Sequence, residues 1–195
     1  FVAVAISMLF GSGLGILAGY YGGKTDAIIM RIMDVFLAIP SMVLSIAVVT
    51  GLGTSTISLL LSIAVAQVPH FARVAKAAVI SVKDSEFIEA ARTLGANDFD
   101  IIIKNIIPNA MSPVIVQATL GTGNAILTVS SLSYLGLGIQ APAPEWGTIL
   151  STAKMYMRDA WHISVIPGLA IMLTVLTFNL MGDGIRDALD PKLKS

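Results

Sequence analysis

Residues 85–108, SEFIEAARTLGANDFDIIIKNIIP, form the longest polar-bearing segment of the chain and stand between two apolar runs. They read as two short helices around a turn. Asp84 or Ser85 is placed to cap the first helix, and Gly95 suits the left-handed position just past its end. Asn97 is placed to cap the second, with Asp100 in its first turn, where a carboxylate favours the helix dipole. Pro108 marks the entry to the next apolar run. Small Ala90 and Ala91 leave one face of the first helix flat enough for a groove on another protein, with Glu89 and Arg92 flanking it. A loop that merely joins two spans, its alanines there for helix propensity, explains the same residues equally well.

Working outward, 55% of the 195 residues are hydrophobic and only 12% are charged. Soluble domains carry about 25% charged residues. With a mean hydropathy of +0.84, the composition describes an all-α, polytopic integral membrane protein. The absence of cysteine excludes disulfides, thiolate metal sites and a cysteine nucleophile. His70 and His162 are too far apart for a local metal motif, so no metal ligands and no catalytic residues are assigned. The chain opens on Phe1, already inside an apolar run, and reads as a piece whose N-terminal part is missing.

A bilayer crossing takes about 20 apolar residues. Segments 1–19, 32–51, 55–78, 107–135 and 162–182 fit that length. Gly11, Gly15, Gly19 and Gly23 repeat at spacing four, a small-residue stripe that lets membrane helices approach closely. Two nucleotide-binding look-alikes fall in the same region. Residues 13–18 match a lax dinucleotide fingerprint but lack the strand and the acidic residue that fold needs. Residues 22–25 resemble the end of a phosphate-binding loop, yet Ala18 stands where its first glycine belongs. Residues 24–34 read as a mixed loop into the second span, which Pro40 kinks. Residues 138–161 read as an external segment, with an amphipathic helix between 145 and 159.

Placing the 84–106 loop on the cytoplasmic side puts ten basic residues at that face: Lys24, Arg31, Arg73, Lys76, Lys83, Arg92, Lys104, Arg186, Lys192 and Lys194. Only Lys154 and Arg158 fall outside. That bias sets both the loop and the C-terminus in the cytoplasm. Trp146 and Trp161 then meet the outer interface. Arg31 with Asp34, and Asp183 with Arg186, read as ion pairs at the inner face. Gln117, Asn124 and Asn179 are amides within apolar runs, so they face either a pathway or another helix.

Glu89-Ala90-Ala91, three residues, Gly95, nine residues and then three more to Pro108 resemble the signature of the membrane subunits of binding-protein-dependent ABC importers. The one departure is Asn105 at a usually apolar position. Residues 18–41, 131–150 and 178–193 are similar to segments of the second permease in the dipeptide/oligopeptide/nickel group. The resemblance implies the five-helix core of a type I importer (MetI-like), a single transmembrane domain over 1–195 in the inner membrane. In that family the loop matched at Glu89, Ala90, Ala91, Gly95 and Pro108 forms a coupling helix docked on an ATPase, and Arg92, flanking the flat face, is placed with them. The implied partners are a second homologous permease, two cytoplasmic ATPases that carry the ATP and magnesium, and an external solute-binding protein. Beyond lipid, no nucleic acid and no cofactor in this chain are expected. Peptides, or nickel, are the implied cargo. The competing class is a secondary transporter driven by an ion gradient, which predicts carboxylates near the midplane and an internal repeat; the acids here cluster at span ends.

Overall fold

The computed structural model describes residues 1–139 and 142–189, and these are helical without a strand. The helices are α1 (Val2–Tyr21), α2 (Gly23–Leu37), α3 (Ser41–Leu52), α4 (Thr56–Val82), α5 (Glu86–Thr93), α6 (Asp98–Asp100), α7 (Ile107–Tyr134), α8 (Trp146–Ala153) and α9 (His162–Leu189). A wide π-helical segment, Ile101–Ile106, joins α6 to α7 without a break. Four helical stretches are long and apolar enough to cross a membrane, and a fifth span results if α2 and α3 are counted as one bent pair. Lys192 and Lys194, counted in the charge bias, lie outside the described residues, as do Gln140 and Ala141 of the external segment.

The glycine stripe positions everything else. Gly11 lies against the Val68 carbonyl and Phe71, Gly15 against the Ala72 carbonyl and Ala75, and Gly19 against Val79 and the Lys76 carbonyl. The pairing partners rise together, so α1 and α4 run parallel. Ala72, Ala75 and Ala78 on α4 are buried in return. Two surfaces of small residues bring the backbones close, as membrane helices require when apolar burial alone gives no preference for protein over lipid. Ser7 Oγ donates to the Ala64 carbonyl at 3.1 Å across the same seam. Gly23 does not belong to this stripe: it sits at φ +52 in the reversal between α1 and α2, with no neighbour within 4 Å of a would-be Cβ.

The expected loop over 24–34 is helical, forming most of α2. Its polar side meets α4: Asp26 pairs with Lys76 at 2.5 Å and Asp34 with Arg73 at 2.6 Å. Arg31 therefore does not pair with Asp34. The one-turn spacing was right for a helix, but Arg73 approaches from another helix. Pro40 does more than kink a span. It has no N–H to donate and pushes Ile39 out of helical geometry, and α2 and α3 meet at 87°. On the far side, α9 presents Leu169, Met172, Leu173, Leu176 and Leu180 outward, an apolar face of the kind a span can turn to lipid.

Candidate functional site

The 84–106 loop is a compact knuckle seated on one end of the bundle. After α4, Lys83 Nζ donates to the Gly19 carbonyl at 3.1 Å. Ser85 occupies the N-cap of α5, but its hydroxyl donates back to the Val82 carbonyl at 2.6 Å. The backbone thus starts the helix where the sequence places it, while the side chain fastens the preceding turn. Glu86 and Glu89 fill the first turn and Arg92 the last, which complements the dipole at both ends. Gly95, at φ +87, ends α5. Its N–H donates to Arg92 O at 2.9 Å and Ala96 N–H to Ala91 O at 3.1 Å, the paired bonds of a Schellman cap. Asn97 Oδ1 then accepts from Asp100 N–H, while its Nδ2 donates to Asp100 Oδ2, both at 2.9 Å.

Two anchors hold the knuckle. Ile88, fully buried, packs with Tyr20, Ala78, Val79, Ile101, Ile106 and Ala110, and burying such a side chain stabilises by about 1.5–3 kcal/mol. Tyr20 Oη donates to Asp98 Oδ1 at 2.7 Å, and the Arg92 guanidinium lies 5.7 Å above the Tyr20 ring. Lys104 sits 2.5 Å from Asp100; its hydrogen bond and charge hold that carboxyl below the usual carboxylate range. Pro108 can supply no N–H to the preceding turn, and Ile107 N–H instead bonds Ile102 O. The wide turn is the accommodation expected at a proline entering a continuous helix.

The arrangement corrects the flat-face expectation. Ala90 and Glu89 are exposed, but Ala91 is turned toward the core beside Ile88. What the sequence reading missed is apolar: Phe87, Leu94 and Phe99 project from the knuckle, with Leu94 88% and Phe99 72% exposed. Their signal was present as large apolar residues in a polar segment; only the fold shows that they point away from the bundle.

The remaining polar candidates separate. Gln117 and Arg186 line a cavity of about 500 Å³ with Asn109 and Ser112. Asn179 lies against Gly123, its Oδ1 3.2 Å from the position a Cβ would take there. Asp183 and Arg186 form no ion pair among the described residues, because Arg186 turns toward the α4–α7 side. Asn124 lines a different cleft of about 280 Å³, with Ser41, Ser45, Gln67, His70 and Thr128. Gln67 and His70 join Asn124 here; Gln67, like Gln117, is an amide within an apolar run. No group of three His, Cys, Asp or Glu able to hold a metal occurs among the described residues.

Residues 11–195 match the family described as binding-protein-dependent transport system inner membrane component. The chain belongs to this family. It is 50% identical over its whole length to the dipeptide transport system permease protein DppC of Alkalihalophilus pseudofirmus, covering 64% of that protein. It is 47% identical over 99% of its length to the glutathione transport system permease protein GsiD of Pectobacterium atrosepticum, and 45% identical over 99% to the di/tripeptide permease DppC of Pseudomonas aeruginosa; it covers 64% of each. The chain spans just under two thirds of these relatives. The fold is that of the MetNI methionine ABC transporter in an inward-facing conformation: TM-score 0.79, 20% identity, covering 97% of this chain and 90% of that one. An amino acid ABC transporter also matches, with TM-score 0.70 and 16% identity over 97% and 88% of the two chains.

Proposed function

We propose that this chain is the pathway-forming permease of an ATP-driven importer of short peptides, coupled to a partner ATPase through the 84–106 loop. One observation carries the coupling reading: an apolar tip of Phe87, Leu94 and Phe99 projects from a knuckle fixed to the bundle and continuous with α7. A tip exposing aromatic and aliphatic side chains fits a protein groove. Movement of that groove would pass through α6 and the π segment into the 98–134 helix without a flexible joint. Glu89 and Arg92 would set register, while Ile88, Ala91, Gly95 and Pro108 keep the loop in shape. Peptide as cargo follows from the names of the three relatives; nickel has no support among them.

The loop and the C-terminal end face the cytoplasm in this reading, since Lys24, Lys76, Lys83, Arg92 and Lys104 gather at the knuckle end and Lys154 and Arg158 stand at the other. ATP and magnesium would be bound by the ATPases, with no catalytic site in this chain. A second permease would complete the pathway and an external binding protein would deliver the peptide.

Co-purification of the full-length permease with its ATPase subunits tests the reading. Leu94→Asp combined with Phe99→Asp removes the two most exposed side chains of the apolar tip without touching the buried anchors. The expected result is loss of the ATPases at unchanged permease level in the membrane. Full retention of the ATPases would refute the docking role, and peptide uptake driven by an ion gradient without ATP would favour the secondary-transporter class.

A further inference from the structure

The cleft between α3, α4 and α7 sits where an apolar lining would be expected. His70 is 14 residues from the start of α4 and 12 from its end, about 21 and 18 Å at 1.5 Å per residue. Gln67 and Asn124 lie about 16 and 15 Å from the knuckle-distal ends of α4 and α7. Gln67, His70 and Asn124 therefore sit well inside the length of their helices rather than at the ends, near Phe71, which packs on Gly11 midway along α1.

Contacts between and within the helices use only part of this hydrogen-bonding capacity. Ser45 is fully buried and donates to the Ser62 carbonyl at 3.5 Å. Gln67 Nε2 donates to the Gly121 carbonyl at 3.0 Å, but its Oε1 is buried without a donor. The Asn124 amide and the His70 ring are exposed and have no hydrogen-bond partner among the described residues. Facing lipid, each such group would cost several kcal/mol, so this surface faces water, another protein or cargo. An ionisable side chain at this depth points the same way. The broken span adds to it: α3 begins at the cleft with Ser41, and its first-turn N–H groups have no acceptor within the helix.

The chemistry selects the cargo. Hydroxyls, two amides and an imidazole offer both donors and acceptors, and the lining holds no carboxylate and no lysine or arginine. Such a surface matches peptide N–H and C=O groups and, at the start of α3, a terminal carboxylate. It offers no deep apolar pocket to select a side chain. Several neutral hydrogen bonds in place of one ion pair also suit passage, which needs sites weak enough to leave.

We propose that the cleft formed by Ser41, Gln67, His70, Asn124 and Thr128 is a transit site for the backbone of a short peptide, and this rests on the importer reading above. The cleft reads the amide and carboxylate groups common to all short peptides and is indifferent to their side chains. A dry contact with the second permease is the competing occupant.

Cysteine is absent from these 195 residues; with any cysteine elsewhere in the full-length permease replaced by serine, single thiols give a direct test. His70→Cys and Asn124→Cys are made singly in the full-length permease, assembled with its partner subunits in proteoliposomes, with Leu173→Cys on the outward apolar face of α9 as reference. A charged methanethiosulfonate is added and its mass is followed on this chain. Both cleft positions should react about tenfold or more faster than position 173, since a charged reagent reaches a thiol in hydrocarbon poorly. Binding protein loaded with dialanine, together with Mg-ATP, should slow the reaction severalfold, and diglycine should slow it as well. Reaction at the cleft no faster than at position 173 overturns the proposal in favour of a dry permease contact. Fast reaction that peptide does not slow, in a complex whose cysteine-free parent takes up dialanine, overturns the transit site alone. No ATP-dependent dialanine uptake by the parent overturns the importer reading together with it.

Discussion

Replacing Gly95 separates backbone conformation from side-chain space at the turn that ends α5. The residue sits at φ +87, and a Cβ built there meets nothing within 4 Å. Alanine therefore brings no clash, only the left-handed backbone penalty of about 1–2 kcal/mol. Against it stand the Ile88 anchor, about 1.5–3 kcal/mol, and the Tyr20–Asp98 bond. A hydrogen bond to a charged group contributes about 1.5–3 kcal/mol, toward the lower end here because Asp98 is exposed. The anchors outweigh the penalty, so Gly95→Ala keeps the knuckle folded in most molecules. Proline is different. It fixes φ near −65°, removes the N–H that donates to Arg92 O and pushes Leu94 out of its helical conformation. The last turn of α5 unwinds and the capping bonds go with it. Peptide uptake per ATP hydrolysed, measured in proteoliposomes at matched permease content, should stay within about twofold of the parent for alanine and fall tenfold or more for proline. Parent-like coupling in Gly95→Pro would refute the reasoning. So would an alanine variant as damaged as proline, because the open space around Gly95 leaves no steric cause for it.

The glycine stripe predicts a contrast inside α1: Gly15→Ala should lower the thermal unfolding midpoint in detergent through about 1–3 kcal/mol of overpacking against the Ala72 carbonyl and Ala75. Gly13→Ala, where nothing lies within 4 Å, should leave the midpoint unchanged or raise it through about 0.5–1 kcal/mol of helix propensity. Tyr20→Phe keeps the ring under Arg92 but removes the donor to Asp98, so uptake per ATP should fall, less than for Gly95→Pro. Asp98→Asn should act in the same direction, and the double variant should be no worse than the more damaged single one if the two groups act through one bond.

Much of the fold was legible because the membrane constrains sequence locally. A crossing helix must satisfy its own backbone and carry about 20 apolar residues, so four spans could be read from runs alone, as could the caps at Asn97 and Gly95, which depend on residues a few positions apart. The family signature at Glu89, Ala90, Ala91, Gly95 and Pro108 is equally local. Tertiary structure decided what depends on which helix lies opposite. Asp34 was free to choose between Arg31 on its own helix and Arg73 across the bundle, and parallel packing of α1 on α4 with α2 alongside made it Arg73. Residues 24–34 read as a loop in sequence because nothing local pairs their carboxylates; Lys76 and Arg73 on α4 do so and let a polar helix rest on the bundle. Ala91 and Ala90 are neighbours in sequence, yet Ile88 fixes the rotation of α5 so that one turns in and the other out. Gln67, His70 and Asn124 carry no shared pattern in the sequence. They meet because α4 runs on to Val82, which sets His70 at mid-helix, and because α7 crosses it at the depth where their polar groups form one cleft.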